Sequence, residues 1–81
     1  MKVQILFFAN GAEIVGRRSL ERSLPAGTTL AALIEDLNNE FPALKNVVEV
    51  ASFAVNADYS GLDRLLRDGD EVAVIPPVSG G

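Results

Sequence analysis

The chain has 81 residues, of which 48% are hydrophobic, and a formal net charge of −4. One small domain fits that length. Cysteine and histidine are both absent. This excludes a disulfide framework, thiolate or imidazole metal sites and a Ser-His-Asp triad, so catalysis by the chain alone is not expected. The acidic balance argues against nucleic acid, which attracts clustered Lys and Arg. The one basic pair, Arg17-Arg18, follows Gly16 and reads as a solvated loop tip. No run approaches the ~18 apolar residues of a membrane span, and no signal peptide is recognisable. The expectation is a cytoplasmic protein without a nucleic-acid or membrane partner.

Lys2–Ala9 reads as a strand, with Val3, Ile5 and Phe7 on one face and Lys2, Gln4, Leu6 and Phe8 on the other. Asn10-Gly11 is a turn signal. A tight hairpin would pair the first strand with Glu13–Val15. A longer loop through Arg18 would place the second strand near Ser19–Leu24, with Leu20 and Leu24 inward, and this second arrangement is preferred. Pro25-Ala26-Gly27 is punctuation. Thr28 or Thr29 then caps a helix, in which Leu30, Leu33, Ile34, Leu37 and Phe41 recur at helical spacing before Pro42. Glu35 and Asp36 fall on its wet face and do not form an acid–base pair. Ser52–Asn56 alternates as a strand, Asn56-Ala57-Asp58 begins a turn, and Leu62–Leu66 reads as a short helical or 3₁₀ turn. Tyr59 reads as a half-buried turn residue. Asp68, Asp70 and Glu71 lack the spacing of a cation loop and read as turn chemistry, so no metal site is expected. Glu71–Ile75 is the last strand, with Val72 and Val74 on one face and Glu71, Ala73 and Ile75 on the other.

This order predicts an α+β fold: a mixed sheet of about four to five strands with one main helix on one face. A β-grasp satisfies it, with the first and last strands central, adjacent and parallel. The domain spans residues 1–75. Its second sheet face has no helix to cover it, so Leu6, Phe8 and Ile75 point outward. Phe8 and Ile75 then cluster at the end of the sheet where the chain leaves, as a candidate partner interface. The alternative is that the loop over residues 10–18 covers them.

Residues 76–81, Pro76-Pro77-Val78-Ser79-Gly80-Gly81, predict a flexible tail. The prolines hold the exit extended. Gly80 and Gly81 carry no Cβ and leave a bare carboxylate that can enter a narrow site on another protein.

Several segments together resemble the small subunit of molybdopterin synthase, the MoaD-type ubiquitin-like sulfur-carrier family. They are Leu6-Phe7-Phe8-Ala9, Ala54-Val55-Asn56, and Leu66–Ala73 running through Ile75 into Pro76–Gly81. The resemblance implies a β-grasp whose Gly81 carboxylate is adenylated by an E1-like enzyme with ATP. Gly81 then becomes a thiocarboxylate, so AMP and sulfur are carried covalently on it in turn and no cofactor is bound. It also implies a large synthase subunit whose active site takes in residues 76–81 and where sulfur passes to cyclic pyranopterin monophosphate. Phe8 and Ile75 correspond to family positions that contact partners. Two departures stand out: Asn10–Glu13 lacks the basic residues often found there, and Ile75 stands where an aromatic is common. Two other uses fit the same tail. One is sulfur carriage for another pathway, thiazole or a tungsten-type cofactor; the other is a ubiquitin-like modifier conjugated through Gly81.

Overall fold

Strand β1 (Lys2–Phe7) alternates between a wet and a dry side. Val3, Ile5 and Phe7 are buried, while Lys2 and Gln4 are exposed. In this computed structural model, which describes residues 1–77, β1 pairs antiparallel with β2 (Ser19–Ser23) and parallel with β5 (Glu71–Ile75). Strand β3 (Ser52–Val55) pairs antiparallel with the far side of β5 and with the two-residue β4 (Asp58–Tyr59). The sheet order is β2-β1-β5-β3-β4, so the first and last strands are central, adjacent and parallel, as the sequence predicts.

The register builds two faces. Phe7, Val74 and Phe53 align in one row of the inner face, and Ile5, Val72 and Val55 in the next. Helix α2 (Leu30–Glu40) covers this face with Leu30, Leu33, Ile34 and Leu37, all buried. Eleven residues are too few for a helix to persist alone in water, so α2 depends on this packing. Its first turn is closed by other segments. Thr29 Oγ1 accepts from Ala32 N at 3.2 Å, while the Arg64 and Leu62 carbonyls accept from Leu30 N and Ala31 N at 2.8 and 2.9 Å. Three of the donors that a helix start leaves without partners are thereby satisfied.

That bonding explains one correction. Leu62–Leu66 is neither helical nor 3₁₀: it turns at 62–63 and then runs extended, with Leu65 bridged to Thr29 and Leu66 N donating to Thr28 O at 3.0 Å. Its carbonyls serve α2 instead of one another.

The second correction concerns residues 9–15, where the sequence predicts a loop or hairpin. They form helix α1 (Ala9–Val15). Phe8 is its N-cap, so β1 stops at Phe7 and does not reach Ala9. Gly11 is buried at Phe7 and Val47, and Ala12, Ile14 and Val15 pack against the core. Tertiary burial thus overrides the turn propensity of Asn10-Gly11. Gly16 closes the helix with φ 80° and donates its N–H to Ala12 O at 2.8 Å, a left-handed helix stop. A further short helix, α3 (Leu44–Val48), was not expected; Leu44 and Val47 anchor it to the core.

At the opposite end of the sheet from the chain's exit, a buried carboxylate ties the strands together. Asp70 accepts from Asn56 Nδ2 at 2.8 Å and from Arg67 N at 2.7 Å, and Asn56 Oδ1 accepts from Glu71 N at 2.9 Å. The motif joins the β3–β4 turn to the start of β5. Replacing Asp70 with Ala orphans the Asn56 amide and the Arg67 N–H. Hydrogen bonds to a charged group each contribute about 1.5–3 kcal/mol, so Asp70→Ala is expected to cost about 2 kcal/mol in urea unfolding. An unchanged midpoint would remove this role.

Candidate docking face and tail root

The outer face of the sheet divides along its length. The row Ser19, Leu6, Ala73, Ala54 and Tyr59 crosses all five strands and is mainly apolar. Phe8 and Ile75 lie beyond it, towards the end where the chain leaves. In the other direction come Gln4, Glu21 and Glu71, then Lys2, whose Nζ is 3.9 Å from Glu21 Oε1. Outward residues therefore run from charged Lys2 through Gln4 and Leu6 to the aromatic Phe8 just beyond the end of β1. The apolar half adjoins the root of the tail.

Phe8, Ala54, Ala57, Tyr59, Glu71, Ala73 and Ile75 line one hollow on this face, which brings Phe8 and Ile75 together as the sequence argument requires. Leu6 is half-buried and lines a second hollow with Phe8, Ala9, Ala12 and Arg18. Phe8 is the shared wall. It is 47% exposed, so α1 flanks the aromatic without covering it.

Tyr59 was missed by the sequence reading. It is 77% exposed and stands on the outer face at the sheet edge. The β3–β4 turn puts it there: Asn56 and Ala57 take φ of 52° and 70°, both left-handed, which suits a tight two-residue hairpin. The signal available in the sequence was parity. Ala54 points outward, and a two-residue turn after Val55 sets Tyr59 opposite it.

The chain leaves the sheet after Ile75. Pro76 is half-buried and Pro77 exposed. Both line a separate hollow with Asn10 of α1, Asn46 and Val47 of α3, and Val50. Val78, Ser79, Gly80 and Gly81, where tail insertion and carboxyl chemistry are expected, lie outside the described residues. Among the described residues no helix is long and apolar enough to cross a membrane, and no cluster of three or more Asp and Glu side chains is arranged to hold a metal ion.

A mixed sheet with parallel central first and last strands, helices on one face and an apolar patch beside the C-terminal exit defines a ubiquitin-like β-grasp protein. The model of the ThiS family matches residues 5–81, and the chain belongs to that family. It is 42% identical to the molybdopterin synthase sulfur carrier subunit of Homo sapiens, over 99% of this chain and 94% of that protein. The crystal structure of small archaeal modifier protein 1 from Haloferax volcanii superposes with a TM-score of 0.89 at 27% identity, each chain fully covered. A chain in the complex of subunits 1 and 2 of the molybdopterin-converting factor from Helicobacter pylori also matches over both full lengths, at 27% identity and a TM-score of 0.73.

Proposed function

We propose that the chain carries sulfur for molybdopterin synthesis on its C-terminal Gly81. The observation that carries this reading is the likeness, over nearly the full chain, to molybdopterin synthase sulfur carrier subunits. The placement of the apolar hollow of Phe8 and Ile75 at the tail root agrees with it. A carboxylate is a poor electrophile. Its attack on the α-phosphorus of ATP, on an E1-like enzyme, gives an acyl adenylate and releases pyrophosphate. A hydrosulfide equivalent then displaces AMP, which leaves with one of the original carboxyl oxygens, and Gly81 becomes a thiocarboxylate. That group is ionised and nucleophilic at sulfur near neutral pH. In the large synthase subunit its sulfur bonds to a carbon of cyclic pyranopterin monophosphate, displacing an oxygen substituent from that carbon. Water then cleaves the acyl carbon–sulfur bond, which leaves the sulfur on the pterin and returns the Gly81 carboxylate. The partners supply every acid and base, in keeping with a carrier that has no histidine and no cysteine.

The Helicobacter pylori complex of subunits 1 and 2 of the molybdopterin-converting factor supports a large subunit as partner, and the docking site proposed for it is the outer face. The apolar end of that face offers what a partner interface needs: aromatic anchors with polar groups at the margin. A second reading, conjugation of Gly81 to lysines of other proteins, is favoured by the likeness to small archaeal modifier protein 1.

Mass spectrometry of the chain purified from cells with its own pathway, before and after a thiol alkylator, separates them. The chain has no cysteine, so a thiocarboxylate is its one group that alkylates as a thiol. A labelled C-terminal peptide is the expected result. An unlabelled chain, with diglycine remnants on lysines of other proteins, would establish the modifier instead.

A further inference from the structure

The tail root has two banks. The outer-face hollow ends at Ile75, and the next two residues, Pro76 and Pro77, line a hollow on the helix side with Asn10, Asn46, Val47 and Val50. The two hollows share no residue, although the backbone runs straight from one into the other. The helix-side hollow has apolar walls and an amide rim. Its neighbours Lys45 and Glu49 are charged and exposed, yet neither lines it. Val50 is 63% exposed and does not stand alone, since it shares this hollow with Val47, Pro76 and Pro77, and grouped exposed apolar surface is what marks an interaction site. Depletion of charge around exposed apolar groups is the compositional mark of an interface centre.

Chain length adds a geometric constraint. Val78–Gly81 is four residues, which reach at most about 14 Å from Pro77 when fully extended. A site that reacts with Gly81 must therefore come within that distance of the tail root. Such sites are concave, with walls around whatever enters them. A wall on the Phe8–Ile75 side alone would leave the entering tail open to water on the other.

We propose that the hollow of Val47, Val50, Pro76 and Pro77, rimmed by Asn10 and Asn46, is a second contact for the protein that takes up the tail. It receives the rim of that protein's tail-binding tunnel, on the opposite bank from Phe8 and Ile75. The inference rests on the reading that Gly81 enters a partner active site. It assigns Val50 and Asn46, which the sequence does not mark, to the same interface.

The test uses the full chain and the large molybdopterin synthase subunit of the same organism, with affinity measured by calorimetry. Val50→Arg and Asn46→Lys each place a charge on the helix-side bank at an exposed position, so the melting temperature should hold. Phe8→Asp challenges the outer face in parallel. The expected result is weaker binding for all three, by about tenfold for each helix-side variant, a change that corresponds to ~1.4 kcal/mol. If Phe8→Asp weakens binding while both helix-side variants bind as the wild type does, the second contact is overturned and the docking reading stands. If Phe8→Asp itself binds normally, the docking reading falls and the second contact with it.

Discussion

Removing Gly81 is expected to abolish sulfur carriage and to leave the melting temperature unchanged. The two halves of this expectation have separate physical causes. Among the described residues, the last in the buried core is Val74 and the last with a ladder partner is Ile75. The core and the sheet ladders of the described residues therefore do not draw on Gly81. Function depends on where a single carboxylate sits. Cutting one residue draws it back by up to about 3.5 Å. A misplacement of 1 Å can already cost about 10²-fold in rate when reacting atoms must be aligned. Thiocarboxylate formation with the activating enzyme and molybdopterin formation with the large subunit should both fall to background. Differential scanning fluorimetry on the same sample reads the other half. A truncated chain that still carries sulfur would refute the assignment of Gly81, and one that melts early would show the tail to be structural.

Phe8→Asp is expected to weaken binding to the large subunit about 100-fold, equivalent to ~2.7 kcal/mol. Phe8 is the common wall of two hollows on the outer face and the largest exposed side chain next to the tail root. Aromatic anchors at such centres are where truncation typically costs 2 kcal/mol or more. Aspartate adds the cost of burying an unpaired charge. The folded state should not suffer. Phe8 is the N-cap of α1 and makes no side-chain capping bond, and aspartate is among the preferred residues at that position. Gln4→Asp, on the polar half of the same face, serves as the control and should bind almost normally. Equal losses from both substitutions would point to a general charge effect and away from an anchor at Phe8.

The elements legible in the sequence were those whose pattern and burial agree. Strands β1 and β5 alternate cleanly because both are central, with one side under α2. Helix α2 shows both its apolar stripe and its threonine cap. These three suggest a β-grasp, and once its first and last strands are taken as parallel neighbours the meeting of Phe8 with Ile75 follows from parity. Helix α1 was not legible because Asn10-Gly11 is a strong local turn signal, and what overrules it is distant: Val47 lies 36 positions from Gly11 and the two touch only in the finished fold. Gly16 was read as part of a loop, because a helix stop and a loop glycine look alike until the preceding residues are known to be buried. Strand β4 is two residues long, too short to show alternation of its own, so Tyr59 could be placed on the outer face only by counting across the two-residue turn from Ala54.

The central place of β5 has a mechanical consequence. The segment that, on the proposed function, is gripped by one protein, released and handed to another continues directly from a strand bonded on both sides, parallel to β1 and antiparallel to β3. A pull along that strand loads both ladders in shear, so many hydrogen bonds share the force at once. Were the same tail attached to an edge strand, the pull would peel one ladder from its end, a bond at a time. A domain built this way can be pulled repeatedly by its C-terminal end and keep its fold.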